Sequence, residues 1–147
     1  IPKASLERLA GYVGTDPHFA TLQELENYLR KIHSTFGDLT DADWQHMAQH
    51  SHRILPDGQF ALAYDPNIAM AFKGMQVQDV NLWPFYDMVK AQTLVIHGAQ
   101  SDLLLPETAA EMTQRGPKAT LVEIPNAGHA PALLDAQQIS IISNFLF

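Results

Sequence analysis

The sequence predicts an α/β protein in which a helical region is followed by a β-α-β-α unit of a parallel sheet. Two apolar runs carry this prediction, residues 93–98 and 119–124. The first is too short for a stable helix and has the β-branched, apolar character of a strand buried on both faces, and the second is interpreted as a further strand. A helical segment separates the two runs, as the crossover between parallel neighbours requires.

The first part of the chain carries helix signals in succession. A short helix is predicted over residues 5–13. A capping box at Thr21 opens a second helix, whose apolar stripe is expected to continue to a stop at Gly37. Thr40 opens a third helix through a similar capping pattern.

The next part is less regular. Residues 54–64 contain a turn signal between apolar positions and are interpreted as an extended connector in preference to a hairpin. Pro66 is suited to the first position of a helix that is expected to end at Gly74. The aromatic-rich segment 79–89 then leads into the first buried strand.

Two helices accompany the predicted strands. Pro106 is suited to the first position of the crossover helix, which the Gly-Pro pair at residues 116–117 ends. Asp135 and Gln138 have the spacing of a capping box for the last helix. The apolar residues of that helix, such as Ile139, give it a face for packing.

An aspartate and a histidine follow the two predicted strands. Asp102 comes just after the first strand, and His129 lies in the loop 125–131 that follows the second. Parallel neighbours joined by a helix bring their carboxyl ends to one edge, where open α/β sheets bind ligands. A carboxylate there accepts the proton of one imidazole nitrogen and prepares the other nitrogen to act as a general base. Spacing alone leaves open a second interpretation, in which both residues only form turns.

The segments around this pair resemble those of α/β-hydrolases. Residues 98–104, Gly-Ala-Gln-Ser-Asp-Leu-Leu, are similar to the family's acid segment, and residues 126–131, Asn-Ala-Gly-His-Ala-Pro, to its histidine loop. The resemblance implies that Asp102 and His129 are the acid and the histidine of a nucleophile–acid–histidine triad. It also implies that residues 1–90 form a helical cap and residues 91–147 the C-terminal part of the hydrolase core, with an incomplete parallel sheet.

The nucleophile motif of that family, Gly-x-Ser-x-Gly, does not occur in the sequence. The chain also has no cysteine. The resemblance therefore implies a hydrolase of esters or related bonds whose nucleophile lies outside this chain. We expect a C-terminal fragment that is inactive by itself. The alternative is a non-catalytic helical binding module on a degenerate hydrolase fold.

Two tryptophans and a histidine pair are further candidates for function. Trp44 and Trp83 are candidate substrate-binding residues, although a tryptophan at helical spacing more often packs in a core. His46 and His50 are four residues apart on one helix face, as two metal ligands would be. No glutamate lies between them and no third ligand is fixed by spacing, so we expect neither a metal nor another cofactor.

The composition argues against several classes of partner. The net charge of −7, from 16 acidic and 9 basic residues, argues against a nucleic-acid or anionic-membrane surface. No apolar run approaches the ~20 residues of a membrane span. A chain without cysteine forms no disulfide and is compatible with the cytoplasmic location that we expect. The expected ligand is a small-molecule substrate.

Two parallel strands by themselves leave an apolar sheet edge unpaired, which favours association. We therefore expect this chain to pair with the N-terminal half of the same enzyme or with a second copy of itself. A monodisperse monomer of this chain in solution would contradict that expectation.

Overall fold

The structure, a computed structural model, describes residues 1–72 and 76–147. Contacts divide the chain into two compact units. The first unit comprises Lys3–Ser34 and Leu39–Gln78, and the second comprises Ile1–Pro2, Thr35–Asp38 and Asp79–Phe147. The role of residues 1–90 as a cap stays a prediction.

The first unit combines helices with a small antiparallel sheet. The β3 strand is the central one and pairs with both β1 and β2. A buried cluster provides its core because the apolar faces of α2 and α3 meet there, joined by one residue of β3. The elements are α1 (Lys3–Ala10), β1 (His18–Phe19), α2 (Leu22–Ile32), α3 (Asp41–His50), β2 (His52–Ile54), β3 (Phe60–Leu62) and a 3₁₀ helix (Pro66–Phe72). The buried cluster consists of Leu25, Leu29, Trp44, Ala48 and Leu62.

The predicted helix starts at Thr21 and Thr40 are confirmed. The Thr21 side chain accepts from the Glu24 amide, and Thr40 forms a complete capping box with Asp43. These hydrogen bonds lower the number of unpaired amides at the helix ends. The Thr40 bonds also hold the pKa of the Asp43 carboxyl below its ordinary value.

The predicted extension of α2 to Gly37 was wrong, because α2 ends at Ile32. The amide of His33 bonds back to the Leu29 carbonyl and caps the helix. Residues 35–38 belong to the second unit, where the Phe36 carbonyl accepts a hydrogen bond from Ala132. Tertiary hydrogen bonding has therefore overridden the helical periodicity of this segment.

The interpretation of residues 54–64 as an extended connector was also wrong, because β2 and β3 form an antiparallel hairpin. The turn is closed by a hydrogen bond of 2.8 Å from the Leu55 amide to the Gln59 carbonyl. Gly58 has a φ of 83°, a left-handed conformation that glycine adopts without strain. Pro66 starts a 3₁₀ helix, and the predicted end at Gly74 lies outside the described residues.

The second unit contains the predicted β-α-β-α arrangement. Its β4 and β5 strands are parallel and in full register, with Leu94 opposite Thr120 and Gly98 opposite Ile124. Over the described ranges each of these strands pairs on one side only. The predicted α/β fold class with a small parallel sheet is confirmed. The elements are α4 (Trp83–Tyr86), β4 (Leu94–Gly98), α5 (Pro106–Met112), β5 (Thr120–Ile124) and α6 (Ala136–Leu146).

The ends of the two longer helices of this unit follow the sequence signals in part. Pro106 is in the first turn of α5, as predicted. The Asp135 side chain accepts from the Gln138 amide and caps α6. The Gln138 side chain does not complete the box, since it accepts from the amide of Leu133 instead. That bond ties the loop before α6 to the helix.

Candidate functional site

The loops that follow β4 and β5 are joined by main-chain hydrogen bonds. The Ala99 amide donates to the Ile124 carbonyl at 2.9 Å, and the Gln100 amide donates to the Ala127 carbonyl at 2.8 Å. These bonds continue the parallel ladder past the ends of the strands. The loop with Asp102 and the loop with His129 therefore lie side by side at one edge of the sheet.

The histidine loop is also fixed from its other side by residues 35–38. The Gly128 amide donates to the Thr35 carbonyl at 2.6 Å, and the Asn126 side chain donates to Asp38 at 3.3 Å. Asn126 has a φ of 56°, in the left-handed region that asparagine tolerates better than most residues. The sequence pattern gave no sign that residues 35–38 support this loop.

Ser101 forms a hydrogen bond with the ring of His129. Ser101 Oγ lies 3.2 Å from His129 Nδ1 and also accepts the Leu104 amide at 3.1 Å. Ser101 is only 8% exposed, whereas His129 is exposed. Among the residues that the structure describes, His129 Nε2 has no hydrogen-bond partner. The ring is thus held at Nδ1 and open at Nε2.

The structure places Asp102 next to Ser101 in the same loop, with an exposed side chain. Asp102 and His129 therefore share the sheet edge, as the sequence predicted. Their pairing as acid and base stays a prediction. The contact of Ser101 with His129 was not predicted, because Ser101 does not lie in a Gly-x-Ser-x-Gly motif. A signal was present: a serine that begins a loop often accepts the amide three residues later, which fixes its hydroxyl in place.

The two candidate tryptophans have different surroundings. Trp44 is 7% exposed and belongs to the buried cluster of the first unit. Trp83 is half-buried, with the Arg115 guanidinium 4.4 Å from its ring centre. Arg115 also makes two bonds to Asp87, of 2.9 and 2.6 Å, and holds the pKa of that carboxyl below its ordinary value. Substrate contact by either tryptophan stays a prediction.

The rings of His46 and His50 lie close together, with their centres 4.2 Å apart. His50 Nδ1 is engaged by the carbonyl of His46 at 2.8 Å. In the described part of the chain, no three or more His, Cys, Asp or Glu side chains form a group that would hold a metal ion. None of the helices in the described part of the chain is long and apolar enough to cross a membrane.

Gly98, the last residue of β4, lies against the main chain of the histidine loop. A Cβ atom on Gly98 would lie 1.8 Å from the Gly128 carbonyl oxygen and 2.6 Å from that of Ala127. Both neighbours are main-chain atoms, so the histidine loop itself would have to move. We expect Gly98→Ala to lower the free energy of unfolding by on the order of 3 kcal/mol, as overpacking against a fixed backbone does.

Urea unfolding of the full-length protein checks this prediction. Gly11→Ala is the matched control, since its Cβ would lie 3.3 Å from the nearest atom, the Arg8 carbonyl oxygen. We expect the control to change the free energy of unfolding by less than about 1 kcal/mol. Equal effects of the two substitutions would show that the close approach at Gly98 does not constrain the loops.

Comparisons with known proteins show what this chain is similar to. The chain is 35% identical over 150 residues to a 3-hydroxybutyrate-oligomer hydrolase from Cupriavidus necator, a match covering 97% of this chain and 51% of that protein. It superposes with a TM-score of 0.81 and 32% identity on the crystal structure of an α/β hydrolase from Novosphingobium aromaticivorans, covering 97% of this chain and 51% of that one. The chain has the α/β-hydrolase fold. A proposed hydrolase from Rickettsia typhi gives a TM-score of 0.87 at 29% identity, over 99% of this chain and 49% of that one.

No protein-family model matches this α/β-hydrolase chain. The chain spans about half the length of the relatives it matches. The resemblance predicted from the acid segment and the histidine loop is confirmed at the level of the fold family. The relatives described above are named as hydrolases.

Proposed function

We propose that this chain is part of an ester hydrolase that acts on short oligomers of a hydroxy acid, with His129 as general base and Asp102 as its acid partner. The observation that carries the proposal is the state of His129: its Nδ1 is held by Ser101 and its Nε2 is open at the exposed sheet edge. The substrate class is supported by the similarity to a 3-hydroxybutyrate-oligomer hydrolase across nearly the whole chain.

The orientation of His129 suits proton transfer at Nε2. A general base needs an unprotonated Nε2, which places the ring proton on Nδ1. Nδ1 then donates to Ser101 Oγ, which has two lone pairs and also accepts the Leu104 amide. The negative charge of Asp102 would stabilise the imidazolium that forms when Nε2 takes a second proton.

The proposed reaction proceeds in two stages. His129 Nε2 removes a proton from a nucleophilic hydroxyl, whose oxygen attacks the ester carbonyl. The ester C–O bond breaks, and the hydroxyl end of the leaving oligomer departs with the proton from His129. Water then gives a proton to Nε2 and attacks the acyl carbon. The bond from the acyl carbon to the nucleophile oxygen breaks, Nε2 returns the proton to that oxygen, and the acyl group leaves as the carboxylic acid.

Ser101 is a poor candidate for the nucleophile, although it lies beside His129. Its side chain is nearly buried, and its oxygen already accepts the Leu104 amide. It also contacts Nδ1, so the open nitrogen Nε2 would have no part in activating it. We therefore propose that the nucleophile lies in residues beyond this chain, and that the 147 residues alone catalyse no turnover.

The substrate class is tested by incubating the full-length protein with a linear 3-hydroxybutyrate trimer and with a trimer linked by amide bonds. We expect mass spectrometry to show monomer and dimer from the ester and no product from the amide. A butyrate ester of p-nitrophenol serves as a general ester substrate. Cleavage of that ester without cleavage of the trimer would contradict the substrate class, and no cleavage of any ester would contradict the proposed function.

A further inference from the structure

His97 is a buried polar residue in β4 that the proposed reaction does not use. It is 2% exposed and is among the largest fully buried side chains of the described residues. Burying an imidazole is unfavourable unless its nitrogens find hydrogen-bond partners. Both nitrogens have one here: Nε2 lies 3.0 Å from the Leu104 carbonyl oxygen, and Nδ1 lies 3.3 Å from Glu123 Oε2.

The chemistry of these partners fixes the direction of one bond. The Leu104 carbonyl only accepts, so Nε2 of His97 carries a proton and donates it. The Glu123 carboxylate, directly opposite in the β5 register and 61% exposed, accepts as well when it is ionised. That second bond needs a further proton on Nδ1, whereas the bond to Leu104 forms in either state of the ring.

The Leu104 bond connects His97 to the histidine of the site. The Leu104 amide donates to Ser101 Oγ at 3.1 Å, and Ser101 Oγ lies 3.2 Å from His129 Nδ1. Leu104 is therefore held at its carbonyl by His97 and at its amide by Ser101. The loop that contains Ser101 and Leu104 also contains Asp102. An unbroken series of hydrogen bonds thus runs from the interior of the sheet to the exposed ring.

We propose that His97 is a positioning residue for His129, acting through the Leu104 main chain and the Ser101 hydroxyl. This inference rests on the proposed function only for its kinetic consequence. Without the bond from His97, the Leu104 carbonyl loses its buried donor and residues 101–104 are free to shift. A small displacement of Ser101 turns the His129 ring. A misplaced catalytic group lowers kcat while substrate binding is retained.

The test uses two replacements of His97, whose side-chain nitrogens take the places of different ring nitrogens. The side-chain nitrogen of His97→Gln reaches the place of Nε2 and can donate to Leu104, whereas that of His97→Asn reaches only the place of Nδ1. We expect the asparagine variant of the full-length protein to lose roughly tenfold in kcat for butyrate-ester hydrolysis, with KM unchanged. The glutamine variant should stay within about threefold of the parent. Glu123→Gln, which leaves the Leu104 bond intact, is the matched control and should change neither constant.

A spectroscopic measurement separates positioning from a general loss of stability. The ¹⁵N shifts of the His129 ring, recorded on histidine-labelled protein, should move in the asparagine variant and stay in place in the glutamine and Glu123→Gln variants. A fall in kcat with an unmoved His129 signal, or equal behaviour of the asparagine and glutamine variants, would overturn the proposal. If the asparagine variant does not fold, a folded glutamine variant decides: a retained His129 signal and kcat support the proposal, and their loss overturns it.

The ring signal does not depend on turnover. If the parent protein hydrolyses no ester, the proposed function fails, but the response of His129 to the His97 variants still shows whether the two rings are coupled. If ester hydrolysis is present and the ring does not respond, the inference about His97 fails by itself.

Discussion

Replacing His129 with alanine in the full-length protein is expected to reduce kcat for ester hydrolysis by at least about a thousandfold. Alanine removes the only group at this edge that is proposed to accept the proton of the nucleophile and return it to the leaving alcohol. The side chain is exposed, so its removal creates no cavity and the free energy of unfolding should change by less than about 1 kcal/mol. Initial rates with the butyrate ester, together with urea unfolding, measure both quantities.

His50→Ala is the matched control, since His50 is also exposed and lies on α3 in the first unit. We expect this variant to keep the parent kcat. A His129→Ala variant that retained more than about a tenth of the parent kcat would be incompatible with general-base catalysis by this residue. Unchanged turnover would favour the alternative, a binding module in which the hydrolase fold carries no chemistry.

Replacing Asp102 with asparagine is the second change with a large expected effect, a fall in kcat of roughly 10³- to 10⁴-fold. Asparagine has a similar shape but no charge, so it does not stabilise the imidazolium that forms on His129. Binding of substrate does not use this charge in the proposed reaction, and KM should therefore change little. Steady-state kinetics of the folded variant, with KM and kcat determined separately, provide the measurement.

Two further variants identify which group matters most to His129. Ser101→Ala removes the hydroxyl at Nδ1 and is expected to lower kcat only about tenfold, because a neutral hydrogen bond contributes less than a charge. Glu107→Gln removes an exposed negative charge in the first turn of α5 and should leave kcat unchanged. If Ser101→Ala lowered kcat more than Asp102→Asn, the Ser101 hydroxyl, and not the Asp102 carboxylate, would be the group on which catalysis by His129 depends.

Much of the second unit was predictable because its signals are local. The apolar runs that became β4 and β5, the proline that begins α5 and the Asp135 cap of α6 each depend on residues close in sequence. Parallel pairing follows from two apolar strands and the helix that connects them. The shared edge of Asp102 and His129 then follows from topology alone.

The first unit was less predictable because non-local pairing decides it. The strand β1 has only two residues, His18 and Phe19, and exists because β3 offers an edge to pair with. Residues 54–64, predicted to be an extended connector, contain part of a hairpin whose strands have only three residues each. Such short strands have almost no pattern of their own, and their stability comes from the sheet that they join.

The sequence by itself determined the α/β class, the starts of the capped helices and the shared sheet edge of Asp102 and His129, since each depends on neighbouring residues or on the succession of elements. Only the tertiary structure decided which side chain binds His129 Nδ1 and which segment supports the histidine loop. Ser101 meets His129 from a stretch of the chain 28 residues away, while His97 and Leu104 hold Ser101 from the end of β4 and the loop that follows it. A hydrogen bond depends on ångström-scale distances between such stretches, and no pattern along the chain specifies them.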